Sequence, residues 1–266
     1  MSRKDQRVEL PNGRQLGYDD LGPPDAPAVF YFHGAPSSRV DLGLFGSEAL
    51  AERLGIRIIA SDRPGMGLST FEPNRHLSDW PADVSALAIP ERLTAVGVVS
   101  SSGLFENPAL TEGVNRNTLR FTYLARDRPR LSRLAFRMMA LMARSAPGRL
   151  VAQVMAAFPE PDRVVMARPE VSGAFVATVR ESLRQGPRGA QFDTALMVSP
   201  WGFRPEEIDM RVHLWHGEVD QNAPLAVGRY LADAIPNSEA RFYAGEGHLS
   251  LIVNHAEEIL SVLVPG

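Results

Sequence analysis

The sequence has no cysteine and only one lysine, and it has no long apolar run. The lack of cysteine excludes disulfides, thiolate metal sites and a thiol nucleophile, and it is compatible with a reducing compartment. The net charge of −3 provides no overall positive field, so nucleic acid is not an expected partner. No apolar segment is long enough to span a bilayer, and none follows the N-terminus. We therefore expect a cytoplasmic protein without a membrane partner.

The N-terminal part of the chain alternates strand and helix patterns. Asn12 and Gly13 lie between two alternating segments and predict a hairpin, because both residues tolerate positive φ. The apolar run 28–32 predicts a strand that is covered on both faces. Further strands are predicted at 56–60 and 93–99, and helices at 48–54 and 80–87.

The pattern then changes to amphipathic helices. From about residue 107 to 201 there is no convincing strand. Strands return at 211–215 and 239–243, with helices predicted at 225–234 and 254–263. This order predicts an α/β core with a mostly parallel sheet, helices on both faces and an inserted helical cap. The predicted division is 1–105 for the first part of the core, 106–205 for the cap and 206–266 for the second part of the core.

Three short segments could carry chemistry. The turn at residues 33–36 follows a strand and could direct the backbone N–H groups of Gly34 and Ala35 towards an oxyanion, although an ordinary turn has the same composition. Asp220 follows another strand, where it could orient a histidine or simply cap a loop. His248 lies just after a glycine, where a loop could turn it towards a cleft or towards solvent.

Taken together, these segments resemble the α/β-hydrolase superfamily, in particular an esterase-like branch with a helical cap. Residues 61–69 resemble the turn after the next core strand of that superfamily, and the likeness extends from about residue 13 to 264. The resemblance implies that Asp220 is the triad acid and His248 the general base, in the family's chain order. It also implies that Gly34 and Ala35 form the oxyanion hole, and that no cofactor or metal is needed.

The sequence departs from that superfamily at the nucleophile. It contains no Gly-x-Ser-x-Gly motif, which the family places on a turn between a central strand and a helix. Instead, residues 86–88 run directly into 89–92, which resemble the family's segment after the elbow helix. We therefore predict that a strand, turn and helix of roughly 20–25 residues are missing.

Ser101 is the substitute nucleophile that we consider. It follows the predicted strand 93–99 and precedes Gly103, but Val99 occupies the position where the motif has glycine. The residues after Gly103 also make a poor helix start.

Three functions stay open on the sequence alone. The chain is an impaired ester hydrolase of small acyl substrates, a non-catalytic hydrolase-like protein (a pseudoenzyme) that binds a small ligand, or a deletion variant of an active hydrolase. The sequence does not determine the oligomeric state.

Overall fold

The computed structural model describes residues 2–87, 93–105 and 107–264. The strands within those ranges are β1 (Arg3–Glu9), β2 (Gln15–Leu21), β3 (Ala28–Phe32), β4 (Arg57–Ser61), β5 (Val96–Val99), β6 (Val212–Gly217) and β7 (Ser238–Tyr243). The α-helices there are α1 (Ser47–Leu54), α2 (Trp80–Val84), α3 (Arg116–Asp127), α4 (Pro129–Ser145), α5 (Pro147–Met155), α6 (Glu160–Met166), α7 (Pro169–Ser182), α8 (Arg188–Leu196), α9 (Leu225–Ala234) and α10 (His248–Leu263).

The strands form two separate sheets. The first is mixed and has the order β1-β2-β4-β3, with β3 and β4 parallel. The second is parallel and has the order β5-β6-β7. Both β3 and β5 therefore lie at a sheet edge, and neither has a second strand partner within the described ranges. Along the chain, the strand that the sequence analysis predicts to be missing falls between β4 and β5, and its absence stays a prediction.

The edge strand β3 is less buried than the sequence pattern predicts. The apolar run of β3 indicated a strand covered on both faces, but its two end residues are exposed, and Phe32 is 44% exposed. By contrast, β6 is buried along its whole length, because it lies between β5 and β7. The prediction for β3 was wrong because burial depends on neighbouring elements, and β3 has a strand partner on one side only within the described ranges.

Helix α10 packs against both sheets. Ala256 and Leu260 are four residues apart, so they share one helix face, and they join the core cluster that contains Ile58 of β4. Leu251 and Ile259 lie on a second face and pack against Trp215 of β6. Apolar contacts with one helix thus hold the two sheets together where hydrogen bonds between strands do not.

Helices α3 to α8 occupy the middle of the chain, as predicted. No helix in the described part of the chain is long and apolar enough to cross a membrane. The predicted junction at residues 89–92 lies outside the described residues.

Candidate active site

Asp220 and His248 are the predicted site residues that the structure brings together. Asp220 lies in the turn after β6, and its Oδ2 accepts a hydrogen bond of 2.8 Å from Nδ1 of His248. Its Oδ1 accepts hydrogen bonds from the backbone N–H groups of Asn222 and Ala223 at 2.8 and 2.9 Å. The carboxylate therefore closes its own turn and also orients the imidazole of His248.

The sequence pattern suggested a loop at His248, but the structure shows a helix there. His248 is the first residue of α10, so its backbone is fixed by the helix. The bond from Nδ1 to Asp220 leaves Nε2 as the ring nitrogen available to a substrate or water. Within the described ranges, no side chain forms a hydrogen bond with Nε2.

A buried carboxylate from α6 holds the start of α10. Oδ2 of Asp162, in α6, accepts a hydrogen bond from the backbone N–H of His248 at 3.0 Å. Oδ1 accepts from the N–H groups of Leu249 and Ser250, both at 2.9 Å. A negative charge is favourable at this positive end of a helix. Gly247 permits the close approach, because a Cβ there would lie 2.6 Å from both oxygens of Asp162.

Carboxylates raise the pKa of His248 to about 9. Burial alone lowers this pKa, but the charge and hydrogen bond of Asp220 outweigh burial, and Asp162 and Asp41 raise it further. Burial raises the pKa of Asp220, but the charge of His248 and the hydrogen bonds that Asp220 accepts bring it below its ordinary value. The imidazole therefore carries a proton at neutral pH, and Nε2 becomes a base only as the pH approaches 9.

The predicted oxyanion turn follows β3 and is held by His33. Nδ1 of this buried histidine donates a hydrogen bond of 2.7 Å to the carbonyl oxygen of Gly34, and Nε2 accepts one of 3.0 Å from the backbone N–H of Arg63. Burial lowers the pKa of His33 to about 3, so the ring is neutral and this arrangement persists. The N–H groups of Gly34 and Ala35 have no acceptor among the described residues.

Arg39 follows this turn along the chain and forms an ion cluster that the sequence analysis missed. Its guanidinium is almost fully buried and pairs with four carboxylates. These partners are Asp5, Asp19 (3.0 Å), Asp62 (2.8 Å) and Glu181 (2.7 Å). Asp62 also accepts hydrogen bonds from the backbone N–H groups of Arg39 and Leu68, both at 2.8 Å. No sequence pattern signals this cluster, because its members are distant along the chain.

The structure does not connect Ser101 to His248. Ser101 follows β5 in the second sheet, and none of the hydrogen bonds among the described residues joins its hydroxyl to the histidine. The neighbouring Ser100 is the residue with unusual geometry, since its φ is +49° and its buried hydroxyl has no partner. A non-glycine residue at positive φ directly after a strand is uncommon. Ser101 as a nucleophile stays a prediction.

Comparison with solved structures identifies the fold. The chain aligns over 98% of its length with 97% of an esterase from Rhodococcus sp. ECU1013, with a TM-score of 0.61 and 16% identity. It also aligns over 98% of its length with 96% of an epoxide hydrolase from Vigna radiata, with a TM-score of 0.63 and 15% identity. The chain has the α/β-hydrolase fold. This confirms the fold predicted from the resemblance, with one mixed and one parallel sheet.

Comparison of sequences adds a partial relative. No family model matches the chain. A bifunctional esterase/perhydrolase from Acinetobacter calcoaceticus is 39% identical over 92 residues, which are 35% of this chain and 32% of that protein. The match spans about a third of the relative's length. The likeness to solved α/β-hydrolase structures thus covers 98% of the chain, and the likeness to an esterase sequence covers 35% of it.

The pKa of His248 provides a direct test of its pairing with Asp220. In Asp220→Asn the charge is lost while burial stays, so we expect the pKa of His248 to fall by two units or more from about 9. The Cε1 proton resonance of His248, followed by NMR as a function of pH, measures this shift. Asp233→Asn removes an exposed carboxylate from α9 and should leave the titration unchanged. An unchanged titration in Asp220→Asn would mean that the pair does not form.

The same pair makes stability depend on pH. The pKa of His248 is raised in the folded state. Its contribution to the free energy of unfolding is therefore complete below about pH 6.5 and is lost as the pH rises through about 9. Asp220 has a lowered pKa, so its contribution is lost below its ordinary value of about 4. The stability difference between the parent and Asp220→Asn should therefore be largest between about pH 4 and 6.5.

Proposed function

We propose that this chain is a hydrolase-like protein of carboxylic-ester type that acts on small acyl compounds, and that its catalysis is impaired. The observation that carries the proposal is the pair of His248 and Asp220, with Nε2 of the histidine unpartnered among the described residues. An ester hydrolase of this fold needs a serine hydroxyl at that nitrogen. The free edges of β3 and β5, each of which pairs with one strand only within the described ranges, support the absence of the strand that would bring this serine.

The groups that are present can support a slow reaction with water as the nucleophile. Nε2 of His248 accepts a proton from water as its oxygen attacks the carbonyl carbon, and Asp220 stabilises the imidazolium that forms. The N–H groups of Gly34 and Ala35 stabilise the negative oxygen of the tetrahedral intermediate. The intermediate then expels the alcohol oxygen, which takes the proton from Nε2.

The proposal is tested with a fluorophosphonate probe and with p-nitrophenyl acetate. We expect no covalent adduct by intact mass spectrometry. We expect ester hydrolysis that rises about 50-fold between pH 7 and 9, because the fraction of neutral His248 rises over this range. The rate of His248→Ala, measured at each pH, supplies the background to subtract. A single adduct on Ser100 or Ser101 that disappears in His248→Ala would contradict impairment and reveal a rebuilt nucleophile.

A second candidate function is the binding of a small ligand without turnover. An open cleft of about 730 Å³ lies beside the site, and its lining includes Phe158, Val219 and Gln221. Its volume is in the range of small-molecule sites. Saturable binding of acyl compounds, with hydrolysis that does not depend on His248, would favour this function over impaired catalysis.

A further inference from the structure

The outer face of α4 exposes four long apolar side chains. Leu131 and Leu141 are each 54% exposed, and Leu134 and Met138 are each 51% exposed. With 3.6 residues per turn, the four lie within a sector about 80° wide. The opposite face carries Phe136, which is fully buried in the cap. Scattered surface hydrophobes need no explanation, but a continuous stripe on one helix marks an interaction surface.

Arginines line one side of this stripe. Arg130, Arg133, Arg137 and Arg144 fall in the neighbouring sector of α4, about 60° wide. The helix contains no acidic residue, and neither does the whole segment 128–159, which has six arginines. Arg137 and Arg144 form no ion pair or hydrogen bond with any residue that the structure describes. The face is therefore strongly positive although the chain as a whole has a net charge of −3.

An open cavity of about 560 Å³ adjoins the arginine row. Its lining includes five arginines, namely Arg133, Arg137, Arg144, Arg184 and Arg188. Glu181 lies 3.4 Å from Arg184, but this carboxylate is already paired with the buried Arg39 at 2.7 Å. The excess of guanidinium groups suits a phosphate, which arginine binds with two parallel hydrogen bonds.

We propose that the outer face of α4 docks on an anionic lipid bilayer. The apolar stripe would enter the boundary between headgroups and acyl chains, and the arginine cavity would receive a headgroup phosphate. The absence of a spanning segment led the sequence analysis to expect no membrane partner, but peripheral binding requires only a surface. A second copy of the chain is a poorer occupant, because two faces of the same positive charge repel each other. The proposal does not depend on the chemistry of His248.

Cosedimentation with lipid vesicles tests this docking. We expect the protein to bind vesicles of equimolar phosphatidylglycerol and phosphatidylcholine but not of phosphatidylcholine alone. Binding should weaken as salt is added, because salt screens the charges. Arg137→Gln together with Arg144→Gln should lower the partition coefficient about 30-fold. Leu134→Ser together with Met138→Ser should lower it roughly tenfold.

The matched control is Arg7→Gln together with Arg229→Gln. Both arginines are exposed, lie outside α4 and lack an ion pair among the described residues. This double variant changes the net charge by the same amount as Arg137→Gln with Arg144→Gln. It should bind like the parent. The proposal would be overturned if both double arginine variants lost the same fraction of vesicle binding, or if the parent did not bind vesicles at low salt. A dimer that requires the α4 stripe and ignores vesicles would also overturn it, in favour of a second copy. Circular dichroism of each variant confirms that α4 and its neighbours remain helical.

Discussion

Insertion of a strand–Gly-x-Ser-x-Gly–helix segment of about 22 residues after Leu87 is expected to raise hydrolysis of p-nitrophenyl acetate at least about 10³-fold. The reason is that Asp220 and His248 are already in place, and the edges of β3 and β5 are each free on one side within the described ranges. A new strand would pair with both edges and would carry its serine towards Nε2 of His248. In serine hydrolases, loss of the nucleophile costs about 10⁶-fold in kcat, so a partial recovery is a large effect.

The insertion should also stabilise the protein. A strand between β3 and β5 would join the two sheets, and its helix would cover apolar side chains such as Phe32, which is 44% exposed. The thermal midpoint should rise and the unfolding transition should sharpen. Two controls isolate the chemistry. The same insertion with alanine in place of its serine should be equally stable but inactive, and a glycine–serine linker of equal length should change neither property. If the insertion protein folds but its new serine forms no covalent adduct with the fluorophosphonate, the inserted strand does not lie next to His248.

Arg39→Leu is expected to destabilise the fold by about 3–5 kcal/mol. The substitution leaves Asp62, which is fully buried, and Asp19, which is nearly so, without their shared cation. Replacement of one partner in a buried ion cluster is costly because the remaining charges stay desolvated. Urea unfolding followed by circular dichroism measures the change.

A surface ion pair provides the control for Arg39→Leu. Arg53 pairs with Glu257 at 2.8 Å, but both side chains are more than half exposed. Arg53→Leu should therefore change the free energy of unfolding by less than about 1 kcal/mol. The effect of Arg39→Leu should also shrink at low pH, as the carboxylates that have lost their cation become protonated. A loss that is small and independent of pH would show that the cluster does not form.

Local patterns predicted several elements closely. Strand β3 and helix α9 begin and end where the apolar run at 28–32 and the helical pattern at 225–234 place them. These predictions succeeded because strand and helix periodicity is visible within a single element. The start of α10 was missed by six residues, because nothing local shows that Asp162 satisfies the first N–H groups of this helix.

The sequence indicated which residues form the candidate site but not the protonation state of its histidine. The order of Asp220 and His248 along the chain indicated the pair, and the structure joins them at 2.8 Å. The protonation of His248 was not predictable, because it depends on the balance between burial, which lowers its pKa, and the carboxylate of Asp220, which raises it, with further contributions from Asp162 and Asp41. The roles of Gly34, Ala35 and Ser101 stay predictions.

The sequence alone determined the strand and helix types and the lack of a Gly-x-Ser-x-Gly motif, because each depends on residue identity over short spans. The pairing of Asp220 with His248 was implied only by the resemblance to the α/β-hydrolase superfamily. Tertiary structure alone decided that the strands form two sheets, that Asp162 of α6 binds the start of α10, and that arginines lie beside an apolar stripe on α4. Asp162 and His248 are 86 residues apart, and Arg39 and Glu181 are 142 apart. Contacts over such separations depend on how the whole chain packs, and no local pattern encodes them.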